Sequence, residues 1–436
     1  MQSLFNQFKN LSSTGVITAA GQHNSIAVLI TKAEQVRQQY PQFYQRSIAI
    51  QYTNLADFVT ALIAFDGCCS AIYLRSPNVT IPHNDIIDWP LESDAAVVDS
   101  MPSRLKSETA DVDSVATTWF MATSGTTGEP KWCSHSLLSL TANTKHSQKL
   151  QALCWALLYQ PYRFAGLQVV LQALLSGADL VDVADYEPLA QMAFLKHADV
   201  TALSATPSLW RQLLMTGQLS ELTLSHITLG GEIADQSLLD TLKRMFPNAN
   251  VRHIYASTEA GVGFIVSDGR AGFPAKWLKD QTLTVALKVS DEQHLLIKPQ
   301  HHICQSLALQ TNALGYVDTL DKVQVNDDRV LFLGRATGTI NVGGNKVHPE
   351  KVEQVILQCA DISQSKVYAK KSALLGELVV ADVMIIDGAV EQEVKQQVLK
   401  MCKKQLQRFE IPTKINIVNN IDHDPSGKLN RKPQHD

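Results

Sequence analysis

A polar loop at residues 123–131 carries the side chains best suited to chemistry. Its sequence is Thr123, Ser124, Gly125, Thr126, Thr127, Gly128, Glu129, Pro130 and Lys131. The two glycines allow positive φ angles and let the backbone approach a ligand closely. Hydroxyl groups and a lysine can donate hydrogen bonds and positive charge to phosphate oxygens. The loop therefore predicts a polyanion site, with a polar surface turn as the alternative. The spacing of the Walker A loop is absent.

Alternating strand and helix patterns surround this loop and predict an α/β fold. The loop follows a β-branched and aromatic run at 117–122 that predicts a buried strand. Further strands are predicted at 24–31, 46–52, 69–74, 179–183, 202–206, 225–229 and 251–255, and helices at 55–65, 167–175, 188–196, 209–216 and 236–246. Short strands dominate 283–333, and a smaller α/β pattern follows with helices near 349–359 and 389–408.

Length and composition indicate a globular protein of more than one domain. A chain of 436 residues is too long for one compact core, and we place a boundary between domains at 1–335 and 336–436. The net charge of −4 gives no general attraction to nucleic acid. Seven scattered cysteines predict free thiols in a reducing compartment. With no signal-peptide pattern and no long apolar run, we expect no membrane span and a cytoplasmic location.

The loop at 123–131 resembles the phosphate-binding signature of the adenylate-forming superfamily, which includes acyl-CoA synthetases, peptide-synthetase adenylation domains and luciferases. Segments resembling the family's other signatures follow in the same order, and the resemblance is weakest in the first ~100 residues. The resemblance implies a large N-terminal α/β domain of layered sheets and helices, with an abbreviated first subdomain. It also implies a small, mobile C-terminal α+β domain.

The resemblance also implies a nucleotide site. Residues 255–259 resemble the family's Tyr-Gly-x-Thr-Glu motif, which implies that Tyr255 lies near adenine and that Thr258 donates to the α-phosphate. A carboxylate beside a triphosphate requires a hard cation between them, so Glu259 is the expected Mg²⁺ ligand. Gly231 and Glu232 resemble the adenine-side segment.

Residues 315–321 resemble the motif whose aspartate binds the ribose hydroxyls, here Asp321. Leu320 stands where glycine is usual, and Asp318 is the alternative ligand. Arg335 matches an arginine that contacts ribose or phosphate.

The C-terminal part resembles the family's hinge and catalytic segments. Thr337 takes the hinge position, and Gly343 and Gly344 belong to a loop that the resemblance places at the thiol tunnel. Lys428 would be the catalytic lysine, in a segment where Asp424 replaces the usual threonine. Proline and acidic residues at 349–353 suit a helix start and are expected to be structural.

The acyl pocket is expected to involve Arg163, Gly230 and Ala256. Ala256 replaces a glycine and adds a methyl group, worth ~1–3 kcal/mol of discrimination. Arg163 could orient a polar acid or form an internal salt bridge. The segment lacks the Phe-Asp pair with which amino-acid-activating domains hold an ammonium group. We therefore expect an aromatic or short unsaturated acid.

Together these residues imply an enzyme that uses ATP and Mg²⁺ to convert a carboxylic acid to acyl-AMP. The acyl group would then pass to CoA or to phosphopantetheine on a separate acyl carrier protein. The alternatives are a ligase that charges only a carrier protein, an inactive nucleotide-binding homologue, and a luciferase-like oxygenase. The sequence leaves the acid and the oligomeric state open.

Overall fold

The computed structural model describes most of the chain. The described residues are 3–9, 15–76, 79–82, 85–91, 115–123, 131–280, 283, 285–299, 311–372, 376–424 and 427–431. Seven residues of the predicted phosphate loop, 124–130, lie outside this part of the chain, among them the predicted site residues Ser124, Gly125, Thr126, Thr127 and Gly128.

The strands form four sheets within the described residues. In chain order they are β1 Val16–Ala19, β2 Gln22–Ser25, β3 Ser47–Gln51, β4 Ala71–Arg75, β5 Ile87–Trp89, β6 Thr118–Thr123, β7 Lys131–Ser136, β8 Cys154–Leu157, β9 Asp179–Asp182, β10 Ala202–Ala205, β11 His226–Gly230, β12 Asn250–Ser257, β13 Gly261–Val266, β14 Phe273–Pro274, β15 Val285–Val289, β16 His294–Pro299, β17 Val317–Val325, β18 Arg329–Arg335, β19 Ile340–Val342, β20 Asn345–Val347, β21 Ile362–Ser372, β22 Gly376–Ile385 and β23 Lys414–Ile417.

Helices lie between these strands. They are α1 Leu4–Lys9, α2 Ile26–Gln39, α3 Leu55–Phe65, α4 Leu137–Thr141, α5 Gln148–Gln151, α6 Phe164–Ser176, α7 Pro188–His197, α8 Pro207–Met215, α9 Gln236–Met245, α10 Pro349–Ile356 and α11 Glu391–Gln405. Short 3₁₀ turns occupy Pro41–Phe43, Leu219–Glu221, Ala275–Lys279 and Ala336–Gly338. None of the helices in the described ranges combines the length and the apolar character needed to cross a membrane.

The largest sheet has eight strands in the order β13-β12-β11-β10-β8-β9-β1-β2. Its strands from β12 to β1 pair in parallel, and an antiparallel strand closes each edge. Ligands of open α/β sheets bind beyond the carboxyl ends of such strands. The ends of β10, β11 and β12 therefore mark the expected position of a site.

Three smaller sheets complete the fold. Two belong to the N-terminal part, with the orders β5-β3-β4-β6-β7 and β14-β18-β17-β16-β15. The last sheet has the order β20-β19-β22-β21, with β23 paired to β22, and a separate cluster of buried apolar residues lies against it. The change of sheet between Arg335 and Ile340 is our basis for proposing a domain boundary there.

The strand predicted at 24–31 is wrong, because β2 ends at Ser25 and α2 begins at the next residue. The Ser25 hydroxyl accepts a hydrogen bond from the backbone N–H of Val28 and caps the helix. Ile26, Leu29 and Ala33 are buried, a spacing that places them on one helical face. The short apolar run is thus part of a longer helical pattern.

Other predicted elements are confirmed. Helix α3 has the predicted bounds, and the Asn54 side chain caps its start by accepting from the N–H of Asp57. Helix α7 begins at Pro188, where a missing N–H costs nothing. Strand β6, at the predicted position, pairs in parallel with β4 and antiparallel with β7.

Candidate active site

A cavity of about 710 Å³ is lined by residues along β11 and β12 and by residues that follow these strands. It collects predicted site residues that are far apart in the sequence. Those assigned to the nucleotide and to catalysis are Thr123, Lys131, Gly231, Tyr255, Thr258, Glu259, Asp321, Arg335 and Lys428. Those assigned to the acid are Arg163, Gly230 and Ala256.

The predicted hinge and thiol-tunnel residues lie elsewhere. Thr337 is exposed in the 3₁₀ turn after β18. Gly343 and Gly344 form the exposed turn between β19 and β20, with φ angles of 57° and 90°. Neither glycine lines the cavity. The structure therefore shows a domain arrangement that brings Lys428 to the cavity and leaves this turn in solvent.

Asp321 is held in place by two side chains. The Tyr255 hydroxyl donates to Asp321 Oδ2 at 2.5 Å, and Arg335 Nε lies 3.3 Å from Oδ1. Burial raises the pKa of Asp321, while the contacts with Tyr255 and Arg335 oppose that shift. The Tyr255 ring stacks on the rings of Phe264 and Phe332, with centroids 5.0 and 5.4 Å away. These contacts fix the carboxylate in the wall of the cavity.

In the turn before Asp321, leucine adopts the backbone conformation that the usual glycine would have. Leu320 has a φ of 58°, the left-handed conformation that glycine adopts most easily. Its N–H donates to Asp318 Oδ1 at 2.8 Å, and Asp318 Oδ2 lies 3.1 Å from His294 Nδ1. Asp318 thus supports the turn and also lines the cavity.

The residues after β12 are positioned by a histidine that the sequence analysis missed. His135 on β7 is 2% exposed, and its Nε2 donates to the backbone carbonyl of Thr258 at 2.7 Å. A register shift between Tyr255 and Ala256 bends this end of β12. Thr258 and Glu259 follow the bend and line the cavity. A lone histidine within a strand carries no sequence signal for this role.

Lys428 lies on a turn that docks onto α8. The Thr206 hydroxyl, which caps α8, donates to the carbonyl of Gly427 at 2.6 Å. Asp424 Oδ1 accepts from the N–H of Lys428 at 3.1 Å, so an aspartate serves where the family has threonine. Gln212 Nε2 lies 3.0 Å from His423 Nδ1. One of these contacts lies within the turn, and the other two hold the turn against the large domain.

The Glu232 side chain, which belongs to the segment predicted on the adenine side, is bonded to two backbone groups. Its Oε2 accepts from the N–H of Ser208 and its Oε1 from the N–H of Leu429, each at 2.9 Å. Glu232 does not line the cavity. Because both oxygens hold backbone groups, this carboxylate joins α8 to the segment that carries Lys428.

The acidic residues at the start of α10 hold the end of this segment. Arg431 Nη2 lies 2.6 Å from Glu353 Oε2, and its Nη1 lies 3.3 Å from Glu350 Oε1. Burial alone would lower the pKa of Arg431, but the two carboxylates outweigh it and raise that pKa. A side chain at Gly334 would overlap the Glu350 carboxylate. These residues are structural, in line with their helix-start pattern.

The part of the cavity assigned to the acid is more polar than the sequence suggested. Arg163 precedes α6, and its buried Nε has no hydrogen-bond partner among the described residues. Additional lining residues come from β11 and β12, namely His226, Thr228, Asn250 and Arg252. Alternation along a strand could have flagged these positions, but only the fold shows that their side chains border a cavity.

Glu259 suits a Mg²⁺ site that substrate completes. In the part of the chain that the structure describes, no group of three or more His, Cys, Asp or Glu side chains could hold a metal ion. Mg²⁺ is often bound by one or two carboxylates together with substrate phosphates. The single carboxylate of Glu259 fits that pattern and does not fit an all-protein metal cage.

Two family models match this chain. The family model described as AMP-binding enzyme matches residues 45–301, and that of the AMP-binding enzyme C-terminal domain matches residues 351–428. The chain belongs to the AMP-binding enzyme family. As a member of this family it is an AMP-forming acid–thiol ligase.

Individual relatives of this AMP-binding enzyme are distant. A Staphylococcus epidermidis protein described as a long-chain fatty acid–CoA ligase is 24% identical over 319 residues, which cover 71% of this chain and 69% of that protein. The 2-succinylbenzoate–CoA ligase of Listeria innocua is 25% identical over 342 residues, covering 71% and 68%. The o-succinylbenzoate CoA synthetase of Bacillus subtilis, solved with its acyl-adenylate, has a TM-score of 0.70 at 16% identity, covering 99% and 97%. The last comparison shows the shared fold.

Proposed function

We propose that this AMP-binding enzyme activates an aromatic or short unsaturated carboxylic acid as acyl-AMP and transfers the acyl group to a thiol. The thiol belongs to CoA or to phosphopantetheine on a separate acyl carrier protein. The observation that carries the proposal is the meeting of Lys428, Lys131, Glu259 and Asp321 around one cavity. Two cations and two carboxylates there suit a triphosphate, its metal ion and a ribose.

The nucleotide is proposed to lie at the carboxyl ends of β11 and β12. Asp321 accepts the ribose hydroxyls, supported by its contacts with Tyr255 and Arg335. Thr123 and Lys131, the two ends of the predicted phosphate loop, line the cavity. The loop residues Ser124, Gly125, Thr126, Thr127 and Gly128 are proposed to bind the phosphates with them. Gly231 leaves room for Lys428, because a Cβ there would lie 3.1 Å from Cε of the lysine.

Adenylation needs placement and charge neutralisation more than covalent catalysis. A carboxylate oxygen of the acid attacks the α-phosphorus, and the bond from that phosphorus to the pyrophosphate oxygen breaks. Lys428 offers its positive charge to the developing negative charge, and Thr258 donates a hydrogen bond. Glu259 would hold Mg²⁺, which would neutralise phosphate charge when bound.

Thioester formation is proposed to require a second domain arrangement. The thiol sulfur attacks the acyl carbonyl carbon, and AMP leaves with the carboxylate–phosphate oxygen. Gly343 and Gly344 lie in solvent in this structure, so they reach the acyl-adenylate only if the domain after residue 335 rotates. Thr337, exposed on the short turn between the domains, is the proposed hinge.

The proposed acid class is supported by the walls of the cavity. Ala256 narrows one side, and Arg163 adds a positive charge. No Phe-Asp pair is present at 161–166 to hold an α-ammonium group. One relative acts on 2-succinylbenzoate, an aromatic acid, which favours the same class.

A pyrophosphate-release screen tests this proposal. Aryl, cinnamoyl and medium-chain acids are supplied with ATP and Mg²⁺, and acyl transfer is then compared with CoA and with a phosphopantetheine-bearing carrier protein. We expect acid-dependent release with aryl or cinnamoyl acids. Efficient turnover of palmitate without turnover of any aryl acid would exclude the proposed substrate class. Absence of release with every acid would favour a nucleotide-binding homologue.

A further inference from the structure

The cavity extends well beyond the proposed adenylation centre. Strands β11 and β12 pair in parallel, with Thr228 opposite Arg252 and Gly230 opposite Ile254. The Thr228–Arg252 pair is therefore two residues before Gly230 and three before Gly231, the residue against Lys428. At ~3.3 Å per residue, Arg252 is anchored roughly 7–10 Å further along the strands.

Arg252 places a positive charge at this distance from the proposed adenylation centre. Its side chain lines the cavity, and its Nε donates to the Thr228 hydroxyl at 3.0 Å. Among the described residues, Arg252 forms no ion pair with an acidic side chain. The acidic residues that do line the cavity, Glu259, Asp318 and Asp321, follow the carboxyl end of β12 or lie on β17. The guanidinium thus lacks a protein counter-charge in a region where charge is costly.

The groups around Arg252 are suited to binding an anion. Burial lowers the pKa of Arg252, and no acidic group offsets the shift. Burial, together with the charge of Arg252, also lowers the pKa of His226, which precedes Thr228 on β11. A neutral imidazole, the Thr228 hydroxyl and a fixed guanidinium can surround a carboxylate, since the latter accepts several hydrogen bonds.

We propose that the acid carries a second anionic group, a carboxylate at its far end, and that Arg252 is the specificity residue that binds it. The inference rests on the proposed function, because the reacting carboxylate must lie at Lys428. The span of roughly 7–10 Å fits a rigid aromatic or arylpropenoic acid substituted at the far end of the ring. Arg163, at the start of α6, lines another wall and is not part of this pair.

Matched acids test the proposal directly. Benzene-1,4-dicarboxylate is compared with 4-methylbenzoate, and 3-(4-carboxyphenyl)propenoate with 3-(4-methylphenyl)propenoate, so that only the far group changes. In the wild-type enzyme we expect kcat/KM for pyrophosphate release to favour the better dicarboxylate by about 100-fold, the scale for a desolvated charged pair. Equal or better turnover of the methyl analogues would overturn the proposal.

Variants assign the effect to one residue. Arg252→Leu should lose about 100-fold in kcat/KM on the dicarboxylates, mainly through KM, because the contact is remote from the reacting bond. The same variant should retain or gain activity on the methyl analogues, which also shows that it folds. Arg252→Lys should keep part of the preference. If Arg252→Leu lost activity equally on both members of a pair, the assignment would be contradicted. It would also be contradicted if Arg163→Gln, and not Arg252→Leu, abolished the preference for the dicarboxylate.

A binding measurement separates this inference from the proposed function. If no acid supports pyrophosphate release, adenylation fails as the function, and calorimetry then compares the same acids on wild-type protein and Arg252→Leu. Tighter binding of the dicarboxylate by about tenfold or more, abolished in Arg252→Leu and kept in the exposed control Arg270→Gln, would still support the second-anion site. Equal affinity for both members of each pair would refute it.

Discussion

Lys428 packs against Gly231, so that a Cβ built on this glycine would lie 3.1 Å from Cε of the lysine. Gly231 has a φ of 81°, a conformation that side chains with a Cβ rarely adopt. The turn after β11 therefore both bends without strain and leaves space for the lysine. Because Gly231 has no side chain, Lys428 of the C-terminal part has space to reach the cavity of the large domain.

Replacement of that lysine should separate the two half-reactions. In Lys428→Ala, adenylation should fall by ~10²–10³ because one preorganised positive group is lost near the α-phosphorus. Conversion of supplied acyl-AMP to thioester should persist, since that step is proposed to use the other domain arrangement. Single-turnover assays of each half-reaction measure both rates, with the exposed Lys403→Ala as control. Equal loss in both halves would argue against alternation between two arrangements.

The opposite pattern is expected for Gly344→Leu. Gly344 lies on an exposed turn with open space around it, so the substitution leaves the adenylation arrangement intact. In the thiol-transfer arrangement its side chain would block the pantetheine path, and acyl-AMP should accumulate while thioester formation stalls. Gly388→Leu is a matched control, since Gly388 has a similar φ of 86° and also has open space. Equal thioester rates in the two variants would remove Gly344 from the proposed tunnel.

Docking of the Lys428 turn should weaken in acid. Burial lowers the pKa of His423 below its usual value near 6.5, although the nearby Glu232 carboxylate opposes the shift. The imidazole also accepts a hydrogen bond from Gln212. A histidine with a lowered pKa stabilises the docked state above that usual value, and the stabilisation falls as pH decreases below it. Adenylation should therefore drop between pH 7 and 5, by up to about tenfold per unit of pKa shift.

His423→Asn isolates this contribution, since an amide oxygen can replace Nδ1 as the acceptor without titrating near neutral pH. The pH profiles of pyrophosphate release in the two proteins are compared, because other histidines titrate in both. Identical profiles would show that His423 does not govern docking.

Replacement of Leu320 by glycine should stabilise the folded protein. A left-handed conformation costs ~1–2 kcal/mol for a residue with a Cβ, against ~0.5–1 kcal/mol for the entropy of glycine. We expect Leu320→Gly to raise the free energy of unfolding by up to about 1 kcal/mol. Leu314, which is 63% exposed and lacks a positive φ, is the control, and Leu314→Gly should not stabilise. Denaturant unfolding of both variants provides the measurement, and destabilisation of Leu320→Gly would refute the strain argument.

The sequence by itself determined the local elements and the family. Helical spacing at 55–65, and Pro188 at a helix start, predict α3 and α7 because spacing and the first turn of a helix are local properties. Glycines, hydroxyls and a lysine in one loop likewise predicted a polyanion site, and the resemblance of the other short motifs to family signatures implied that the polyanion is a nucleotide. The strand predicted at 24–31 is wrong because a short apolar segment fits both strand and helix periodicity until the residues after it are included.

Tertiary structure alone decided which side chains face the same space. Glu232 is near Gly231 in the sequence, yet its oxygens bind Ser208 and Leu429 because the docked C-terminal segment presents a backbone N–H there. Arg252 belongs to an ordinary strand pattern, and only the pairing of β12 with β11 aligns it with Thr228 beside the cavity. Such contacts depend on strand register and domain docking, which arise from interactions between segments distant in the chain.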